Sequence, residues 1–74
     1  MDRAELQHRV TAVEQRLAKG ERRLERQRAT VASRRHNGWN SREAEALLVE
    51  FELAQTIDRV DLDHLRAQLT TIPL

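Results

Sequence analysis

The residues of this sequence that could do chemistry are few and scattered. His8, His36 and His64 fall one per region, and the densest grouping is Asp61, Asp63 and His64 in the stretch DLDHL. A two-metal carboxylate bundle needs paired Glu-x-x-His motifs projecting inward from facing helices. Asp61-x-x-His64 is one weak analogue, and its carboxylate falls on a polar side of the chain. Cysteine is absent, so thiolate ligands and thiol nucleophiles do not arise. Ser33 and Ser41 lie at or near helix ends with no base and orienting group beside them, which is what an activated nucleophile requires. The reading is of a chain that is no enzyme and that carries no metal or other cofactor.

A phosphate-binding face is the next candidate. KGERRLERQR, from Lys19 to Arg28, is basic, and Arg34 and Arg35 extend it. Phosphate neutralisation needs clustered cations free of carboxylates. Glu21 and Glu25 interrupt this run, and neither an aromatic platform nor a recognition-helix motif accompanies it. Weak nucleic-acid contact through the first helix is the most such a face would offer.

The stretch SREAEALLVEF, Ser41 to Phe51, is similar to the short signature of sporulation-type aspartyl-phosphate phosphatases, themselves small helical hairpins. Ser41, Glu43, Leu47, Leu48 and Phe51 fit it. Arg42, Ala44 and Glu45 depart from it, Glu45 standing in place of the working carboxylate. The resemblance covers about eleven residues of ordinary amphipathic helix. It implies, as an alternative function, phosphatase-like action on response regulators.

The elements that would position these residues are plainer. Seventy-four residues allow one domain, and chains of this size bury only about 60% of their unfolded surface. With no disulfides available, oligomerisation is the expected supplement. Ala, Leu, Arg, Glu and Gln dominate, while Gly and Pro together number three, the composition of long helices. No alternating β-branched run marks a strand. No apolar run approaches the roughly 18 residues that span a bilayer, and the first ten residues lack an apolar signal region. A cytoplasmic protein without a membrane partner is expected.

Leu6, Val10, Val13, Leu17, Leu24 and Val31 recur in alternating steps of three and four when Gly20 and Gln27 fill the gaps. At 100° per residue these six cover about 60°, enough for one helix contact and too little for a globular core helix. The second segment is apolar on two sides. Ala44, Leu47, Leu48, Phe51, Ala54, Leu62, Leu65, Leu69 and Ile72 define one broad face. Ala46, Val49, Leu53, Ile57 and Val60 lie nearly opposite, with His64 at their edge. Between the two faces lie Glu45, Glu52, Arg59 and Asp63 in one gap and Glu43, Glu50 and Asp61 in the other. One thin partner helix covers one face only. The second face is therefore expected to be an interface, and the economical arrangement is a two-fold homodimer forming a four-helix bundle.

The corner, RRHNGWNSREAE, assigns a structural role to each conspicuous residue. Gly38 suits a left-handed cap ending helix 1, and Asn40 with Glu43 reads as a capping box opening helix 2, Ser41 being the alternative cap. Trp39 would staple onto Ala44 or cover the last turn of helix 1, and with Arg34, Arg35, Gly38 and Asn40 it forms the remaining candidate docking tip. The expected fold is all-α: a single domain over residues 1–74, with helix 1 at about 3–36, a turn at 37–40 and helix 2 at about 41–70. The helices pair antiparallel as a coiled-coil-like hairpin.

Charge supports this pairing. Residues 1–36 carry ten Lys/Arg against five Asp/Glu, and residues 37–74 carry three against seven, for net charges of +5 and −4. Folding at the corner brings Arg34, Arg28 and Arg26 roughly level with Glu43, Glu50 and Glu52. The whole layout, with Gly38, Glu43, Ala44, Leu47, Leu48, Phe51, Glu52 and Gln55 at matching positions, also resembles a group of short bacterial helical-hairpin proteins without an established activity. That resemblance implies a fold, and the function expected is a small interaction or regulatory module.

Overall fold

The computed structural model describes residues 2–72. Two helices account for nearly all of them: α1, Arg3–His36, and α2, Arg42–Thr71. No strand occurs among the described residues. The helices pack antiparallel into a rod of 58 × 14 × 13 Å. Helix 1 thus has the bounds its periodicity predicts. Helix 2 begins at Arg42, so the turn is one residue longer than expected. The start of α1 is capped by Asp2, whose Oδ1 accepts the Glu5 amide at 2.8 Å.

The predicted stripe of α1 is its buried line. Leu6, Val10, Val13, Leu24 and Val31 are buried, and Leu17, Gly20 and Gln27 are half-buried. On α2 the buried line is narrower than the broad face expected, and its composition differs. It runs through Ala44, Leu48, Phe51, Gln55, Asp58, Leu62, Leu65, Leu69 and Ile72, in unbroken steps of four and three. Leu47 and Ala54, which belong to the expected face, are exposed. Gln55 and Asp58 replace them because a single-stripe partner can cover only heptad positions, whatever their polarity.

The two lines meet in layers. Gly20 stands against Gln55, and from that layer the steps of three and four place Leu24 by Phe51, Val31 by Ala44, Val13 by Leu62 and Val10 by Leu65. Gln55 is only 4% exposed, and its Nε2 donates to the Leu17 carbonyl at 3.2 Å. Half-buried Gln27 makes a similar contact, its Nε2 donating to the Ala44 carbonyl at 2.8 Å. The Gly20–Gln55 layer also divides the core. Leu6, Val10, Val13, Leu62 and Leu65 form one cluster at the open end, with Leu17, Leu69 and Ile72 packed on it. Leu24, Val31 and Ala44 are buried separately towards the turn.

The ion pairs that join the helices are not those expected. Among the described residues, Arg26, Arg28 and Arg34 make no interhelical ion pair, and Glu43, Glu50 and Glu52 make no ion pair within 4 Å. The helices are instead joined by Arg16 to Asp58 at 3.1 Å and Asp61 at 3.6 Å, Arg59 to Glu21 at 3.8 Å, Arg66 to Glu14 at 3.1 Å, and Arg35 to Glu45. Two of these run from an acid on α1 to an arginine on α2, against the sense of the net charges. Asp58 and Glu45 are half-buried and the other groups exposed; pairs at a surface contribute about 0–1 kcal/mol each, too little for the sequence to specify partners.

Gly20 has a specific steric reason to be glycine. A Cβ there would fall on the Oε1 of Gln55, inside any contact distance. Making room moves the end of the Gln55 side chain from the place where its Nε2 bonds the Leu17 carbonyl. Gly20→Ala is therefore expected to destabilise the hairpin by about 1–3 kcal/mol in urea unfolding, although alanine is the better helix former by about 1 kcal/mol. Adding Gln55→Ala should recover most of the loss. A single Gly20→Ala variant more stable than the parent would contradict the interlock.

Candidate docking surface

Because α1 occupies one side of α2, the opposite side is left to solvent. Val49, Leu53, Ile57 and Val60 are 63%, 60%, 60% and 52% exposed, and Ala46 and His64 are exposed at the two ends of the row. All six residues expected at an interface are thus on one face of α2, uncovered by the hairpin. Their spacing from Ala46 to His64 is three, four, four, then three and four again, an eleven-residue repeat. The buried lines repeat every seven residues, which favours left-handed winding. An eleven-residue repeat favours nearly straight or slightly right-handed packing. The two faces of α2 are built to different periods.

Both long edges of the outer face are acidic. Glu43, Glu50 and Asp61 line one edge, and Glu45, Glu52 and Asp63 the other. The cations of α2 do not offset them there. Arg59 and Arg66 reach inward to Glu21 and Glu14 of α1, and Arg42 lies at the first turn. Glu43, Glu50, Glu52 and Asp63 have no ion-pair partner within 4 Å among the described residues. The places of the acids follow from the sequence, whereas the turning-in of the two arginines depends on the register of the folded pair.

The outer side of α1 is cationic. Lys19, Arg22 and Arg26 project away from the buried line and have no ion pair within 4 Å among the described residues. Glu14, Glu21 and Glu25 lie along a different side of the helix, so acids that interrupt the basic run in sequence are set apart from it in space. Arg23 leans over Phe51, with its guanidinium carbon 5.1 Å from the ring centroid, and so covers a half-buried aromatic.

The corner is a paired cap. Gly38 has φ +69°, and the amides of Gly38 and Trp39 donate to the carbonyls of Arg35 and Arg34 at 3.2 and 2.8 Å. This is the two-bond Schellman ending that Gly38 was expected to supply. The start of α2 differs from the expected capping box. Asn40 Oδ1 accepts the Arg42 amide at 2.9 Å, while Ser41 occupies the cap position with its hydroxyl on Glu45 at 3.2 Å. Glu45, also held by Arg35, takes the place intended for Glu43. The cause is reach: Arg35 at the end of α1 fixes the Glu45 carboxylate, and Glu43 is left on the far side. Trp39 is no staple. It is 62% exposed, beside Ala29, Thr30, Ser33 and Arg34 rather than on Ala44. An open groove of about 460 Å³ lies between Gln27, Arg34, Glu43 and Leu47 at this end.

The remaining chemistry-bearing residues are dispersed. His8, His36 and His64 are all exposed, and among the described residues no three side chains of the metal-binding types converge. No described helix is long and apolar enough to cross a membrane. Of the residues matching the phosphatase signature, Ser41 is engaged with Glu45, and Glu43 borders the open groove.

The exposure of the single tryptophan has an optical consequence. Trp39 should emit near the wavelength of a fully hydrated indole, and acrylamide should quench it almost as strongly in the native protein as in urea. A blue-shifted, protected emission would show that the indole is covered. No protein-family model matches the chain, and neither does any curated protein or solved structure.

Proposed function

We propose that the chain is a non-enzymatic interaction or regulatory module of the cytoplasm that works by completing a helical bundle through the outer face of α2. A second copy is the occupant available without any other component, and it gives a homodimeric four-helix bundle with the second helices at its centre. One observation supports this reading above others: four aliphatic side chains in register along one helix face, each more than half exposed. Contiguous apolar rows of this kind on a small protein usually mark interfaces. The hairpin's own core, eight buried apolar side chains among the described residues, is also thin for an independently stable domain. Burial of the row removes apolar surface from water at about 25 cal/mol per Å², which adds to a marginal core.

Sedimentation equilibrium at micromolar concentration should therefore give twice the chain mass. Leu53→Glu and Ile57→Glu should each shift it towards monomer and lower the melting temperature by several degrees. Such changes at an ordinary surface position alter stability by no more than about 0.5 kcal/mol. A wild-type protein that stays monomeric, with both variants melting as it does, would remove the basis of the reading.

A further inference from the structure

Accepting that the outer face of α2 is a docking surface, we infer that its preferred occupant is a basic amphipathic helix from another protein, with the second copy as the weaker competitor. The reason is the charge along the two edges. Whichever way two copies of α2 are laid face to face, edges bearing Glu43, Glu50 and Asp61 or Glu45, Glu52 and Asp63 meet edges of the same sign. Like charges alongside an apolar contact disfavour it, and such edge charges are what select partners in helix pairs.

The structure removes the obvious remedy. Arg59 and Arg66, the α2 cations closest to these edges, are engaged with Glu21 and Glu14 of their own hairpin. The outer side of α1 in a second copy has the opposite charge, with Lys19, Arg22 and Arg26, but it offers Ala4, Thr11, Ala18 and Ala29 where an apolar row is needed. Neither face of a second copy satisfies both requirements at once. A helix with an aliphatic row and Lys or Arg on both flanks does. Its cations would pair with Glu43, Glu50, Glu52 and Asp63, the edge carboxylates that have no ion-pair partner within 4 Å among the described residues. The row would match best if its apolar residues recur in steps of three, four and four, as Ala46 to His64 do.

The two occupants respond oppositely to salt. Screening relieves repulsion between acidic edges and weakens attraction between acidic and basic ones. Homodimer formation should therefore tighten as ionic strength rises, while binding of a basic helix should loosen.

The test uses the full chain and two labelled synthetic helices. Both carry leucine in steps of three, four and four; one has lysine on both flanks and the other glutamate. Fluorescence anisotropy at low salt should show the lysine peptide binding at least about tenfold more tightly than its glutamate twin. That preference should shrink at high salt, and Leu53→Glu should abolish binding of both. Equal affinities, or an affinity for the lysine peptide that survives Leu53→Glu, would overturn the inference while leaving the docking face itself to the mass measurements. Failure of both peptides to bind, with the chain monomeric, would overturn the inference and the docking reading together.

Discussion

The amide of Gln55 lies buried against the backbone of α1, on the Leu17 carbonyl, in the space Gly20 leaves open. The register of the two helices follows from keeping it there. Heptad seams are degenerate under a slip of seven residues, since one aliphatic layer is much like the next. A slip here would set Gln55 against Val13 or Gln27 and put Leu48 or Leu62 over the glycine. The amide would lose its notch and its bond to the Leu17 carbonyl, and would be left buried against a side chain instead. One polar side chain and one missing Cβ thus convert an adjustable zipper into a single alignment. From that alignment come the placement of Arg59 and Arg66 against the acids of α1, and hence the acidity of the uncovered face.

Legibility differed sharply between the two helices. The line of α1 could be read outright because only one stripe of apolar residues exists on it. On α2, apolar residues outnumber the places a thin partner can cover. Hydrophobicity therefore assigned Leu47 and Ala54 inward, when geometry gave those positions to Gln55 and Asp58. The partner's width, a property of α1, decided which residues of α2 were buried. Pattern reading treats helices one at a time and does not contain that information.

The corner divides in the same way. Gly38 was legible because a positive φ has few tenants. The roles of Asn40, Ser41, Glu43 and Glu45 were not, because several capping schemes of similar free energy compete and a residue from the other helix, Arg35, selects among them. Exposed ion pairs are weaker still, and their arrangement emerges from register instead of specifying it. The outer row of α2 stood between these extremes. Its residues were identifiable from spacing alone, and the hairpin leaves them where the spacing implied.

The split of the core by the Gly20–Gln55 layer bears on how the hairpin assembles. The larger cluster joins residues 6–17 to residues 62–72, the parts of the chain farthest apart along it. The half nearest the turn holds fewer buried side chains. Zippering outward from Gly38 therefore gains little at first, and the loop-closure entropy of the long-range contacts falls due before the main cluster forms. The bend reverses the chain, but the hairpin is clasped at the opposite end. Hydrogen-exchange protection should on this view be deepest around Val10 and Leu65, with the turn opening as a separate, shallower unit.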